Sequence, residues 1–183
     1  YTADQVIETI ISAKENGFDN ISIDLIYGIS GLSNQTWENT LNKAVNLPVT
    51  HLSCYCLSIE DKPLLHRLLK ENKYQPTSDE ICRQQFLMFD EILKSHNFEH
   101  YEISNACKKG FHSRHNSSYW DRTEYLGFGP AAHSLYKNCR SWNIEDVKRY
   151  CEAIEKGDFG AITSIEQLTN EDMFEETIML GLR

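Results

Sequence analysis

The sequence predicts an α/β fold, and three observations carry that prediction. Over roughly the first 105 residues, segments of helical periodicity alternate with short segments of strand periodicity. The junctions are short and marked by Gly17, Gly28, Gly31 and Pro48. After Ser104 the rhythm stops, and a polar, glycine-bearing stretch follows. The order α-β-α-β-α-β joined by short loops implies right-handed parallel βαβ units. Three strands do not close a barrel, so the pattern fits a small open sheet or the second half of a larger one.

Thr2-x-x-Gln5 reads as a capping box, and Val6, Ile7, Ile10 and Ile11 repeat at helical spacing up to Gly17. Ile21 to Tyr27 alternates as a strand, and Gly28-Ile-Ser-Gly31 makes the turn after it. It lacks GxGxxG and the Walker lysine, so a phosphate cradle is poorly supported. A helix from near Asn34 carries Trp37, Leu41, Ala44 and Val45 on one face and ends at Pro48. His51 to Leu57 is the second strand. Pro63 to Glu71 reads as a short helix. Thr77-x-x-Glu80 is a second capping box, opening a helix with Cys82, Phe86, Phe89 and Leu93 on its buried stripe. His100 to Ser104 reads as the third strand. Asn105 to Arg140 reads as loop with one short helix. Beyond it, Asn143 caps a helix carrying Val147, Tyr150, Cys151 and Ile154, which ends at Gly157. The last helix starts near Thr169 with Met173, Phe174, Thr177 and Ile178 on its apolar side. The tail from about Trp142 is expected to be all-helical.

The totals exclude several classes. The chain has 183 residues, 40% hydrophobic and 25% charged, with a net charge of -9 and a sequence pI near 5.2. An acidic chain without a basic stripe is a poor partner for nucleic acid or anionic lipid. No signal-peptide pattern and no membrane-length apolar run occur, so membrane contact is expected only through a partner. The six cysteines, at 54, 56, 82, 107, 139 and 151, form neither CxxC nor CxxxCxxC. Free thiols in a reducing cytoplasm are the expectation, with Cys54 and Cys56 on one strand face as small buried hydrophobes. The chain starts at Tyr1 and ends just after Ile178-Met179-Leu180, which reads as a piece of a longer protein.

The segment from His115 to Ser134 concentrates the chemistry. It holds two histidines, aromatic rings, hydroxyls and a Gly-x-Gly-Pro turn, a composition poor for helix and strand and usual for a site or a tight corner. His115 can serve as an axial ligand to a haem-like iron with Tyr119 and Trp120 as the wall, or as a hydrogen-bonding loop residue. His112, His115, Cys107 and His133 can be drawn as a zinc site, although their spacing matches no common structural pattern. Asp24, near the carboxyl end of the first strand, can accept hydrogen bonds from a ribose or amine, or cap a neighbouring loop. Glu102 is a site carboxylate or the ion-pair partner of Arg114 or Arg140.

Five segments occur in order that together resemble one family: Asn20-Ile-Ser-Ile-Asp-Leu-Ile-Tyr-Gly28, His100-Tyr-Glu-Ile-Ser-Asn105, His115-Asn-x-x-Tyr-Trp120, Tyr125-Leu-Gly-x-Gly-Pro-x-Ala-His-Ser134 and Glu176-x-Ile-Met-Leu-Gly-Leu-Arg183. They resemble the HemW haem chaperones, which are similar to the oxygen-independent coproporphyrinogen III oxidases. Both groups are radical S-adenosylmethionine (SAM) proteins. His-Asn-x-x-Tyr-Trp separates the chaperones from the oxidases, whereas Asp24 to Gly28 is common to both.

The resemblance implies an α/β fold in which residues 1–110 are the later part of an open, partial TIM-type radical SAM barrel. Residues 111–141 would be a motif-bearing loop region, and 142–183 the start of a small helical C-terminal domain. It implies that Asp24 contacts SAM, and that His115 binds the haem iron with Tyr119 and Trp120 completing the haem motif. The role of His133 stays open. The family's 4Fe-4S cluster is held by CxxxCxxC near its N-terminus, a trio absent here, and Ser30 stands where the family usually has Pro. The implied function is haem binding and delivery to a haem-requiring protein. The competing reading is a radical SAM oxidase that decarboxylates coproporphyrinogen III propionates, and the piece by itself is expected to be inactive.

Overall fold

A computed structural model describes residues 2–59 and 64–182. The chain divides into two compact units, Tyr1–His112 and Ser113–Arg183.

In the first unit the elements run α1 (Ala3–Glu15), β1 (Ser22–Tyr27), α2 (Asn34–Val45), β2 (His51–Cys56), α3 (Leu64–Lys70), α4 (Asp79–Ser95), β3 (Phe98–His100) and β4 (Asn105–Lys108). The Thr2 and Gln5 side chains cap α1 reciprocally, as the box predicts. Ser33 caps α2 through the Thr36 N–H at 3.1 Å. The helix buries Trp37, Leu41, Ala44 and Val45, the face its spacing predicts. The cap of α4 is Ser78 rather than Thr77, and Glu80 turns to Arg83 and Gln84 instead. The predicted helix from Pro63 is seen from Leu64, since Pro63 lies outside the described residues.

The four strands lie in the order β1-β2-β4-β3. β1 and β2 are parallel, with Ser22 opposite His51 and Tyr27 opposite Cys56. Beyond them the expected parallel order fails. The third strand is not His100 to Ser104. β3 and β4 form an antiparallel hairpin, and β4 runs antiparallel to β2. The reason is local: Glu102 accepts the Ser104 N–H at 3.0 Å and bonds the Asn105 amide, so the polar run folds into a turn.

On the helix side of this sheet Trp37, Leu41, Leu52, Phe89 and Leu93 form the centre of the core, each at most 1% exposed. Trp37 Nε1 donates to the Gln85 carbonyl at 2.8 Å. Gln85, also fully buried, accepts the Gly28 N–H at 2.9 Å and donates to the Leu32 carbonyl at 3.0 Å. A buried amide so placed is fully engaged and fixes the β1–α2 turn to α4.

The second unit contains α5 (Arg114–Trp120), β5 (His133–Tyr136), β6 (Cys139–Asn143), α6 (Val147–Lys156), a 3₁₀ turn (Phe159–Ala161), β7 (Thr163–Gln167) and α7 (Asn170–Gly181). Two expectations are corrected. The His115-to-Trp120 segment is helical, because Ser113 caps it through the Asn116 N–H at 3.2 Å and its glycines and proline all lie further on. The tail from about Trp142 is not all-helical either: it holds the end of β6 and all of β7, which pair antiparallel in a sheet with β5. β7 carries one large apolar residue, Ile165, so no period-2 contrast shows in its sequence. Asn143 closes β6, and Asp146 is the cap of α6. Gly157, at φ 70°, ends α6 as predicted. Among the described residues no helix is long and apolar enough to cross a membrane.

Candidate functional site

The first candidate lies on the sheet face turned away from the helices. Side chains alternate along a strand, so Ser22, Asp24 and Ile26 share this face and are exposed. Asp24 is the third of the six β1 residues, mid-strand rather than near the carboxyl end. Its cross-strand partner is Ser53, and Ser53 in turn faces Asn105. A polar row of Asp24, Ser53 and Asn105 therefore crosses three strands. Asn105 is buried, and its Oδ1 has no hydrogen-bond partner among the described residues.

One row away, at the amino ends of β1 and β2, Ser22 Oγ and His51 Nδ1 lie 2.8 Å apart, and His51 Nε2 lies 2.7 Å from the Tyr101 hydroxyl. Burial lowers the pKa of His51 against the opposing pull of Asp24 and Glu102, so the ring is neutral at pH 7 and bonded at both nitrogens. This relay was missed in the sequence. Its signal is the period-2 set His51, Ser53, Tyr55, which falls in register with Ser22, Asp24 and Ile26.

The second candidate is α5. Its i, i+4 spacing sets Tyr119 beside His115. The Tyr119 hydroxyl and His115 Nε2 are 3.2 Å apart, and the rings meet edge-on at 5.0 Å and 82°. Tyr125 packs edge-on against Tyr119 at 4.7 Å. His115 and Tyr119 are exposed and Trp120 is half-buried. Trp120 is five residues after His115, roughly 140° around the helix. It therefore does not share the face of the other two, and Tyr125 takes the place next to Tyr119 instead. Burial first, then Tyr119 and Glu176, push the Tyr125 hydroxyl up despite Arg140.

Below this aromatic group an ionic cluster ties distant segments of the second unit. Glu176 on α7 is gripped by Arg122 and Arg140, and Arg140 also reaches Glu166 at 3.3 Å. Burial raises the Glu176 carboxyl, but the Arg140 hydrogen bond and the two guanidinium charges outweigh it and hold it below the usual carboxylate range. Arg140 thus pairs with Glu176 and Glu166, while the Glu102 carboxylate is engaged by its own turn.

The remaining candidates separate. His133 opens β5 and stacks on Trp142 at 6.0 Å. His112 faces Tyr101 at 4.6 Å, with Glu99 3.8 Å from its Nε2. Cys107 is buried in β4. Among the described residues no three His, Cys, Asp or Glu side chains converge to hold a metal ion. The expectation of two buried thiols is half corrected: Cys54 is buried, Cys56 exposed. Among the described residues no set of side chains therefore fits a 4Fe-4S cluster.

No protein-family model matches the chain. In sequence it is 33% identical over 171 residues to the "Heme chaperone HemW" of Bacillus subtilis, covering 93% of this chain and 45% of that protein. It is 31% identical over 185 residues to the protein of the same name from Lactococcus lactis, covering 100% of this chain and 48% of that one. In structure it matches the coproporphyrinogen III oxidase HemN of Escherichia coli, described as a radical SAM enzyme, with a TM-score of 0.78 and 17% identity. That match covers 100% of this chain and 44% of the oxidase. The chain spans about half the length of the curated relatives it matches.

Proposed function

We propose, for a chain that is HemW-like in sequence over nearly its whole length and HemN-like in fold, that it is part of a radical SAM haem chaperone. In this reading the whole protein binds haem as cargo at His115 and delivers it to a haem-requiring protein, in the cytoplasm. The observation that carries the reading is an exposed imidazole on a short, capped helix with a phenol against its Nε2. An imidazole nitrogen is a good iron ligand, and flanking aromatic rings can cover a porphyrin face. To bind iron through Nε2, His115 must give up the Tyr119 contact, a neutral hydrogen bond of about 1 kcal/mol. Tyr119 then stays beside the ring plane, backed by Tyr125. Trp120 belongs to the motif but stands on another side of α5, so its role is to seat the helix or to meet the macrocycle edge.

Asp24 is proposed to contact SAM. The row Asp24, Ser53 and Asn105 fits a ribose or an amine: a carboxylate, a hydroxyl and an amide oxygen that lacks a donor among the described residues. SAM supplies radical chemistry when it is bound beside a reduced cluster. The resemblance puts the cluster thiolates outside this chain.

The second reading is the coproporphyrinogen oxidase, favoured by the fold match alone. Propionate recognition calls for convergent, free guanidinium or ammonium groups. Arg122 and Arg140 instead spend their charge on Glu176.

Hemin titration of the whole protein tests the chaperone reading. His115→Ala is expected to weaken the haem absorbance band by at least about tenfold in apparent affinity, a loss of roughly 1.4 kcal/mol. A mutant that titrates like the unaltered protein removes His115 as the ligand. Asp24→Ala is expected to lower SAM affinity in calorimetry with haem binding intact, and unchanged SAM binding would remove that role.

A further inference from the structure

Cys56 and Cys82 belong to neither candidate site, and the haem and SAM readings make no use of them. β2 ends at Cys56, whose side chain falls on the face with Cys54 and Tyr27, toward the helices. Cys82 is in the first turns of α4, three residues before the clamping Gln85. The two sulfurs converge on the α-carbon of Gly28: a β-carbon built there would lie 3.0 Å from Cys56 Sγ and 3.1 Å from Cys82 Sγ. The two thiols thus neighbour each other across one empty side-chain position, and Tyr27 stands opposite Cys56 in the strand register. Gly28 has φ +72° and its N–H is held by Gln85, so the empty side-chain position that admits both sulfurs is fixed by the backbone. Cys56 is exposed and Cys82 half-buried, which gives a small oxidant one point of entry.

We propose that Cys56 and Cys82 are a thiol pair that a low-molecular-weight disulfide closes into an intramolecular disulfide, stapling α4 to the end of β2. The Cys56 thiolate attacks one sulfur of the oxidant and expels its first thiol, leaving a mixed disulfide. Cys82 loses its proton to solvent, attacks Cys56 Sγ and expels the second thiol. Two protein thiols are oxidised, and one small disulfide is reduced to two thiols that carry the protons away. Burial, and then the neighbouring Cys82, push the Cys56 thiol up. The exchange is therefore slow near neutrality and quickens as pH rises, unlike that of a peroxide sensor with a depressed thiol. The staple would fix the turn that follows β1, four residues after Asp24.

Glutathione titration of the chain tests this. The reduced chain is equilibrated with buffers of rising oxidised fraction, free thiols are blocked with a maleimide, and peptides are mapped without reduction. The expected product is a Cys56–Cys82 linked peptide that forms before any other pairing of the six cysteines. Separate alkylation of Cys56 and Cys82 at every glutathione ratio, or linkage to other cysteines instead, overturns the proposal. With Cys82→Ser, the glutathione adduct on Cys56 is expected to persist roughly ten times longer than in the unaltered chain, because the resolving thiol is gone. An adduct lost equally fast in both chains also overturns it. Peptide mapping of the unaltered chain decides the matter even where the variant folds poorly.

Discussion

Among the described residues, those up to His112 bury fourteen hydrophobic side chains, whereas those from Ser113 onward bury four: Leu135, Ala153, Ile162 and Leu168. The first unit is organised by apolar packing around Trp37 and Phe89. The second relies on a three-stranded ladder and the Arg122–Glu176–Arg140 cluster, and it exposes Leu126, Phe128, Ile165, Phe174 and Leu182. The contrast extends to the candidate sites. Asp24 sits on a sheet whose other face is a packed core, so its geometry is fixed before any ligand arrives. His115 sits on a helix of seven residues with no buried side chain. On the proposed reading, a cargo that must be taken up and released suits the less rigid support, since local opening costs less where few apolar contacts hold an element.

The largest effect is expected in the first unit. Trp37→Ala removes a side chain 1% exposed and its bond to the Gln85 carbonyl, a loss of roughly 3–5 kcal/mol. Urea unfolding followed by circular dichroism measures it, and a loss below about 1 kcal/mol would mean that the core is not organised around this ring. In the second unit Glu176→Gln is expected to cost roughly 1–3 kcal/mol by taking the countercharge from the partly buried Arg122 and leaving Arg140 with Glu166 alone. His115→Ala, which empties an exposed position, should shift stability by less than about 0.5 kcal/mol. That separation keeps the hemin titration of this variant interpretable.

Each unit also carries a group whose shifted pKa gives it a pH window of its own. Glu176 has its folded pKa held below the ordinary value of 4.5. Its contribution is present above that value and disappears as pH falls through the depressed one. In the first unit, burial and then the neighbouring thiols raise Tyr27 from 10.0 to about 12, and burial raises the Cys54 thiol as well. Groups that prefer to stay neutral in the fold contribute fully below their unfolded pKa values, and the contribution is lost as pH climbs toward the folded ones. Amide exchange read segment by segment should therefore show the segments joined by Arg122, Arg140 and Glu176 loosening as pH falls below about 4.5, and the segments around Tyr27 and Cys54 losing protection above about pH 9–10. Exchange around Glu176 that stays flat through that acid window would break the comparison.

What was legible in the sequence follows the same division. α2 announces itself by apolar spacing, and the β1–β2 pair by short apolar runs bounded by glycine and proline; burial then enforces both patterns. The β3–β4 hairpin was not legible, because a carboxylate that bonds the chain two and three positions ahead leaves no mark in periodicity. Nor was Gln85, a polar residue at the centre of an apolar core, whose partners lie more than fifty positions away. In the second unit the turn between β5 and β6 uses Lys137 and Asn138, both at positive φ, without the usual Asn-Gly signature. Its ionic cluster joins residues 54 and 36 positions apart. Of the candidate site, Asp24, His115 and Tyr119 were readable from motif. The His51–Tyr101 relay and Tyr125 were not, since each depends on a strand register or a ring contact that only the folded chain creates.

The smallest effect gives the finest test. Thr2 and Thr169 make the same reciprocal cap, with Gln5 and Asp172 as the returning side chains. Loss of such a cap costs about 1 kcal/mol wherever it occurs. The consequences should differ, because α1 inserts Ile10 into the first unit's core while α7 buries no residue. In Thr2→Ala the packed Ile10 holds the middle of α1, and faster amide exchange should stay within its first turn. In Thr169→Ala no fully buried side chain backs the helix, only the half-buried Met173 and Leu180, so the loss should spread along α7 to Glu176 and loosen the Arg122 and Arg140 contacts. If exchange in Thr169→Ala rises only at the first turn, α7 is anchored by its ion pairs alone, and the cap contributes little to holding the second unit together.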